Sequence, residues 1–388
     1  MKVAVLGLRG FPDVPGGVET HAQKLYPRLA VLGCDVVVFT RRPYVNPQMR
    51  SWCGVTLKAL PCPKHKFLEA FLHSVIAVFA AYRERPDVLH IHAIGPSLAL
   101  PAARLLGMRV VVTHHGPDYE RKKWGYVAKQ VLRAGETCAR RWAHQIICVA
   151  PHIAERIRFT SRSEPIVIPN GVEIPSPAST TESLDRFGLT AGKYVFTLGR
   201  FVPEKGFHDL LEAFARLSTN DKRAAGWKFV IAGASDHQDA YSRELCAIAS
   251  DTPHVVLTGY QTGRALQELF SHAGLFVLPS LYEGLPIALL EAMSYGLSCI
   301  ASDIPANTAV GLPQERLFEP GDVQQLGERL SRFLASPLTA AERKAQIEYL
   351  RNAFDWDTIA HRTLAVYQAV ARRGDFLPAD SVPLPVNG

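Results

Sequence analysis

Residues 275–302 read LFVLPSLYEGLPIALLEAMSYGLSCIAS. LFVLPS has the continuous apolar, β-branched texture of a buried strand, SLYEG is a loop, a helical run follows from Pro286, and SCIAS is a second strand. Strand, helix and strand in direct succession make a parallel crossover unit. Two carboxylates, Glu283 and Glu291, stand among Leu285, Ile287, Leu289 and Leu290. An unpaired buried carboxylate is costly or takes up a proton, so each of these faces water or meets a partner. Proline suits a first helical position, which puts Glu283 in the loop and Glu291 inside the helix. The helix start near Leu285 and Pro286 offers amides and a positive dipole end to an anion. A partly buried Glu291 suits the paired hydroxyls of a ribose. The segment reads equally as a surface helix with two ordinary glutamates.

The same texture repeats on both sides. VAVLG, DVVVFT, DVLHIH, RVVVTH, QIICVA and PIVIP alternate with helical runs such as HAQKLYPRLAVLG and SLALPAARLLG, each closing on a glycine suited to ending a helix. A linker rich in Pro, Ser and Thr, NGVEIPSPASTTES at 170–183, interrupts the pattern. The alternation then restarts with YVFTLG, KFVIAG, HVVLTG, LFVLPS and SCIAS. The expectation is an α/β protein of two Rossmann-like domains facing across a cleft, with ligands at the carboxyl ends of the strands. The expected boundaries are 1–175, 184–355, a final amphipathic helix at 356–373 (WDTIAHRTLAVYQAVARR) and a disordered tail at 374–388.

Bulk properties narrow the setting. The chain has 388 residues, 47% of them hydrophobic and 20% charged, with 43 Lys+Arg against 36 Asp+Glu for a formal net charge of +7. That excess suits nucleic acid, sugar nucleotides or an acidic membrane surface, but no nucleic-acid recognition motif accompanies it. Seven cysteines without a CxxC indicate neither a disulfide framework nor a zinc site. MKVAVLGLRGFP starts directly on a strand and lacks the apolar region of a signal peptide. FLEAFLHSVIAVFAAY, 67–82, falls short of the ~20 residues of a membrane span and carries Glu69 and His73. A soluble, reducing, cytoplasmic setting is the expectation.

Polar residues at strand ends supply the other site candidates. GLRGFPDVPGGVET, 7–20, is a glycine-rich turn between strand and helix, where amides can approach a phosphate. Its Gly7, Gly10, Gly16 and Gly17 do not have G-x-G-x-x-G spacing. Thr40, Arg41 and Arg42 stand where a nicotinamide site would want an acid, which disfavours NAD. In YVFTLGRFVPEKGF, Arg200 and Lys205 follow a strand and suit a diphosphate or the charge on a departing phosphate. His114 and His115 end another strand; neighbours there point to opposite faces, so one of them faces a ligand. His90 and His92 are weaker candidates, equally explained as satisfied core histidines, and no histidine set shows metal-ligand spacing.

Glu283-x7-Glu291, with the GGVE loop, HHG, PNGVE, GRFVPEKG and FDWDTIA, resembles the retaining GT-B glycosyltransferases of family 4 over nearly the whole chain. LGLRGFPDVPGGVETHAQKL is similar to the branch associated with bacterial exopolysaccharide or O-antigen assembly. The resemblance implies that Arg200 and Lys205 hold the donor diphosphate and that Glu291 holds the ribose. It also implies that Glu283, Gly284 and the Leu285–Pro286 amides meet the transferred sugar, with His115 approaching that sugar. Gly16 and Gly17 would close over the phosphates, no metal would be needed, and the helix from Trp356 would return to the N-terminal domain. The donor would be a UDP-, GDP- or dTDP-sugar and the acceptor a saccharide or polyprenyl-linked sugar. One departure is PANTAVGLP after SDI, where the family has a glycine-rich turn followed by Glu and this chain's nearest glycine is Gly311. Retention without an assigned covalent nucleophile implies front-side displacement.

Two other readings use the same residues: a sugar-nucleotide epimerase or hydrolase, and a catalytically silent sugar-nucleotide-binding protein. YERKKWGYVAKQVLRAGETCARRWAHQ, 119–145, mixes basic residues, Lys122 and Lys123 among them, with Trp124, Tyr126 and Trp142. It reads as a solvated basic face or as a peripheral contact with an anionic membrane.

Overall fold

The computed structural model describes residues 1–63, 69–121, 124–235 and 239–373. The chain divides into two compact units, Met1–Gly171 with Phe354–Gly388, and Val172–Ala353. The expected disordered tail at 374–388, with Lys122 and Lys123, lies outside the described residues.

In the first unit the elements run β1 (Lys2–Leu6), α1 (Gly17–Val31), β2 (Asp35–Arg41), β3 (Ser51–Trp52), β4 (Val55–Leu60), α2 (Glu69–Glu84) and β5 (Val88–His92). They continue through α3 (Leu100–Leu105), β6 (Val110–His114), α4 (Tyr126–Trp142), β7 (Gln145–Cys148), α5 (Pro151–Ile157) and β8 (Ile166–Val167). The second unit holds α6 (Glu182–Phe187), β9 (Tyr194–Leu198), α7 (Phe207–Asn220), β10 (Lys228–Ala232), α8 (Ala240–Asp251), β11 (Val255–Gly259), α9 (Gly263–Ser271) and β12 (Leu275–Leu278). Then come α10 (Ile287–Ser294), β13 (Cys299–Ser302), α11 (Pro305–Thr308), β14 (Leu317–Phe318), α12 (Val323–Ala335) and α13 (Ala340–Ala353). Helix α14 (Trp356–Arg373) belongs to the first unit.

The first sheet has the order β3-β4-β2-β1-β5-β6-β7-β8 and is parallel except for the β3–β4 pair. The second has the order β11-β10-β9-β12-β13-β14 and is parallel throughout. Both are doubly wound α/β sheets, which is why their central strands are apolar on both faces. Val3, Ala4, Val5 and Leu6 of β1 are wholly buried, as are Phe229, Val230 and Ile231 of β10.

Each unit winds outward in one direction and then returns to start again on the other side of its first strand. The reversal falls between β1 and β5 in one sheet and between β9 and β12 in the other. At such a switch point the flanking loops part and leave room for a ligand. Gly7, just beyond β1, has φ +101°, and a Cβ there would lie 2.3 Å from the His92 carbonyl oxygen. The two backbones at this switch point approach too closely for any side chain.

Right-handed crossovers put helices that connect in opposite directions on opposite faces of a sheet. In the first unit α1 packs with α14 on one face, while α3 lies between α2 and α4 on the other. The core under the first face joins Val3, Val5 and Val36 of the sheet to Leu25 and Leu29 of α1 and to Ile359 and Val366 of α14.

Candidate active site

The second unit brings sequence-chosen residues together across its switch point. After β9 the chain passes Gly199 and Arg200 into a tight turn at Pro203–Lys205, then Gly206 opens α7. After β12 it passes Pro279 and Ser280 to Glu283. The Leu281 amide donates to the Glu204 carbonyl at 2.8 Å, so the two loops are tied by backbone. Above that tie, the Lys205 ammonium is ion-paired with Glu283, their side chains only 19% and 13% exposed. The Ser280 hydroxyl donates to the same Glu283 oxygen at 2.7 Å.

Gly206 fixes the turn that carries Lys205. Its φ is +63°, and a Cβ there would sit 2.1 Å from the Pro279 carbonyl oxygen. Left-handed strain and a backbone collision add together. Gly206→Ala is therefore expected to lower stability by about 2 kcal/mol in urea denaturation and to weaken any ligand bound by Lys205.

Helix α10 begins one residue later than the sequence implies. Pro286 is extended (φ −78°, ψ 98°) and caps the helix instead of forming its first turn, and no side chain caps α10. Leu285 is buried, whereas Gly284 is partly exposed. Glu291 lies inside α10, half-buried. Burial and the Glu291 charge together push the Tyr295 phenol up to about 12.

The segment PANTAVGLP supplies a brace that the sequence does not reveal. Asn307 of α11 is wholly buried and donates to the Ser302 carbonyl at 2.9 Å and its hydroxyl at 3.0 Å. The Ser302 hydroxyl in turn donates to the Ser280 carbonyl. The loop bearing Glu283 thus rests on Ser280, Ser302 and Asn307. Gly311 lies elsewhere, its φ of +86° placing it against the Tyr349 ring.

In the first unit, Gly16 caps α1 and Gly17 is its first residue. The space beside Gly16 is taken by Glu19, which accepts from the Arg9 amide at 3.1 Å and from its guanidinium at 3.3 Å. The two histidines at the end of β6 divide as alternation requires. His114 is buried against Glu136 at 3.0 Å and accepts from the Gly116 amide at 3.1 Å, so it holds the local fold. Burial would raise the Glu136 carboxyl, but the hydrogen bond from His114 holds it below its ordinary value.

His115 joins a buried imidazole chain. Its Nε2 is 2.9 Å from His92 Nδ1, and His92 Nε2 meets the Tyr26 hydroxyl. That hydroxyl is 2.9 Å from His90 Nδ1, which also meets the Tyr367 hydroxyl of α14. His90 Nε2 is 2.7 Å from Thr113 Oγ1. His21 packs edge-on to His92 and His115 while its Nδ1 lies 3.0 Å from Asn170 Oδ1. A carbonyl oxygen can only accept, so His21 Nδ1 carries the proton and its Nε2 a lone pair, buried and without a partner among the described residues. Burial holds His21 down to about 4 and His90 to about 3, and places His92 and His115 well below the ordinary histidine value. The cluster is neutral at neutral pH. Among the described residues, nitrogens of His21, His92 and His115 lie within 4.8 Å of one another, a set able to hold a transition metal. Sequence spacing gave no hint of it, because its three members come from α1, β5 and the end of β6.

Two family descriptions match the chain, "Glycosyltransferase Family 4" over residues 15–174 and "Glycosyl transferases group 1" over residues 182–353. The chain is a two-domain glycosyltransferase. A glycogen synthase of Mycobacterium tuberculosis is 28% identical to this glycosyltransferase, over 99% of the chain and 98% of that protein. An Escherichia coli UDP-Gal:alpha-D-GlcNAc-diphosphoundecaprenol alpha-1,3-galactosyltransferase is 30% identical over 62% of the chain and 64% of that protein. Sucrose-phosphate synthase from Thermosynechococcus elongatus superposes with a TM-score of 0.81 at 21% identity, covering 95% of this chain and 98% of that one. Anabaena HepE in complex with UDP-glucose superposes with a TM-score of 0.76 at 16% identity, covering 95% and 100%. These likenesses establish the GT-B architecture of the glycosyltransferase.

Proposed function

We propose that this glycosyltransferase moves a sugar, with retention of anomeric configuration, from a nucleotide diphosphate sugar to a saccharide or polyprenyl-linked acceptor in cell-surface polysaccharide synthesis. The observation that carries the reading is the Lys205–Glu283 pair, buttressed by Ser280, at the carboxyl ends of β9 and β12. A cation for a diphosphate is held there against a carboxylate for a sugar hydroxyl. Arg200 is the second diphosphate cation and Glu291 the ribose ligand. The amides of Gly284, Leu285 and Pro286's neighbours at the uncapped start of α10 face the sugar phosphate. On the first unit, His115 is the proposed ligand of the transferred sugar, and the turn at Gly16 and Gly17 the proposed ligand of the phosphates. A solved structure in complex with UDP-glucose and a relative named for a diphosphoundecaprenol acceptor support the substrate classes.

In the mechanism, the acceptor oxygen bonds to the anomeric carbon on the face from which the diphosphate departs. The C–O bond to the diphosphate breaks, and the acceptor proton passes to a diphosphate oxygen. The protein contributes positioning and charge stabilisation. The imidazoles of the first unit are hydrogen-bonded to one another, to Tyr26 and to Asn170, which supports a hydrogen-bonding role for His115; the reaction proposed needs no metal. The setting proposed is the cytoplasm, with peripheral contact at the membrane's inner face. Among the described residues, no helix is long and apolar enough to cross a membrane.

The test is incubation of the purified protein with UDP-, GDP- and dTDP-sugars, with and without a polyprenyl-diphosphate sugar, in the presence and absence of a chelator. Transfer that keeps the anomeric configuration and resists chelation is expected. A donor epimerised or hydrolysed without need of acceptor supports the same-fold alternative. Binding without turnover would support a silent binding protein.

A further inference from the structure

Helix α2 is the apolar stretch too short to span a membrane, and it is amphipathic in an unusual sense. His73, Ser74, Ala77, Val78 and Ala81 are buried against the sheet. On the opposite face Phe71, Leu72, Ile76, Phe79 and Tyr82 are each between 38% and 50% exposed. At 3.6 residues per turn those five fall within an arc of about 140°. Five large apolar side chains side by side on one helix exceed the scattered exposure of an ordinary surface.

Neighbouring helices continue this surface. Because β4 to β5, β5 to β6 and β6 to β7 all step the same way across the sheet, α2, α3 and α4 lie side by side on one face. Leu105 of α3 is 90% exposed and Tyr126 of α4 is 77% exposed.

Charge on these helices is sorted by direction. Their acids are tied inward: Glu69 to Arg41 at 2.8 Å, Glu84 to Lys2 at 2.8 Å and to Lys58, and Glu136 to His114. Exposed among the described residues of α2 and α4 are instead Arg83, Arg133 and Arg141. The outward face therefore couples apolar contact area to positive charge, without a competing carboxylate from its own helices.

We propose that the outer face of α2, α3 and α4 docks on an anionic lipid bilayer, with α2 lying in the plane of the interface. Such a helix buries its apolar side chains at the acyl boundary while arginines meet lipid phosphates. This rests on the reading of a polyprenyl-linked acceptor, whose diphosphate sugar is presented at a membrane surface. It assigns α2 the leading role, whereas the sequence pointed to α4 alone.

The experiment uses the full-length chain and two vesicle types, phosphatidylcholine alone and phosphatidylcholine mixed with phosphatidylglycerol. Co-sedimentation with the anionic vesicles is expected, weakening as salt rises. Phe71→Ser combined with Phe79→Ser should weaken it about tenfold with an unchanged melting temperature, because both side chains already face water. Arg83→Glu and Arg133→Glu should each weaken anionic binding about fivefold and leave neutral vesicles unaffected. Three results would overturn the proposal. They are no binding by the wild type, unchanged binding in the apolar variant, or a wild-type dimer that the apolar variant converts to monomer. Donor binding is measured separately, without vesicles. Intact donor binding without vesicle binding removes the membrane face alone, and vesicle binding without donor binding removes the transferase reading instead.

Discussion

Lys205→Ala is expected to lower turnover about a thousandfold, the loss typical of removing one preorganised stabiliser of transition-state charge. Negative charge on the diphosphate grows as the C–O bond breaks, so a cation aimed at it is worth more in the transition state than in the bound donor. The effect should appear in kcat more than in KM, and Arg200→Ala should behave alike. Stability should fall by only about 1–2 kcal/mol, since Ser280 continues to donate to Glu283 after the ammonium is gone. Glu283→Gln should also cut turnover, and the double variant should be no slower than the worse single one, as for residues that act together. The measurements are single-turnover kinetics with the donor identified by the substrate trial, and urea denaturation of each variant. Near-wild-type turnover in both Lys205→Ala and Arg200→Ala would sink the assignment of this site. Lost stability with unchanged turnover would make the pair structural.

Parallel sheets made this fold legible. Their central strands are buried on both faces, so VAVLG or KFVIAG announces itself as a continuous apolar run with no partner needed to interpret it. Three strands toward the margins carry no such run. β4 (Val55–Leu60) alternates with half-exposed positions, β3 is two residues long, and β14 is also two, so all three escaped the reading. The placement of candidate residues was legible where it follows from strand direction. The carboxyl-end positions of Arg200 and Lys205 follow from β9, and the opposite facing of His114 and His115 follows from alternation. Pro286 was placed one position too far into the helix because its permitted φ serves a cap as well as a first turn. What sequence could not give were contacts closed by tertiary folding. Asn307 bracing Ser302, and Tyr367 reaching His90 across 277 positions, leave no local period.

That long-range imidazole chain should make the first unit acid-labile. Burial depresses His21 to about 4 and His90 to about 3, with His92 and His115 also well below their ordinary value. In the unfolded chain these groups titrate near 6.5. Below that pH the unfolded state binds protons that the fold refuses, so stability rises with pH across the window and is lost as pH falls. Each histidine contributes a slope of about 1.4 kcal/mol per pH unit until its folded value is reached. For His21 alone the full loss is about 3 kcal/mol. His21 and His90 falling from pH 6.5 to pH 5 remove on the order of 4 kcal/mol, a large fraction of a domain's stability, and His92 and His115 act in the same direction. Chemical denaturation at pH 7, 6 and 5, followed through Trp356, which packs against His21, should show that steep decline. Replacing His90 with glutamine should flatten the slope by about one proton, because one refused protonation is gone. The carboxylate contribution is separable, since Glu136, held below its ordinary value, loses its share only at more acid pH. Equal stability at pH 7 and pH 5 would show that the chain is not held neutral. A slope unchanged by His90→Gln would place the refused protons elsewhere, on His73 or His144, which burial also depresses to about 4.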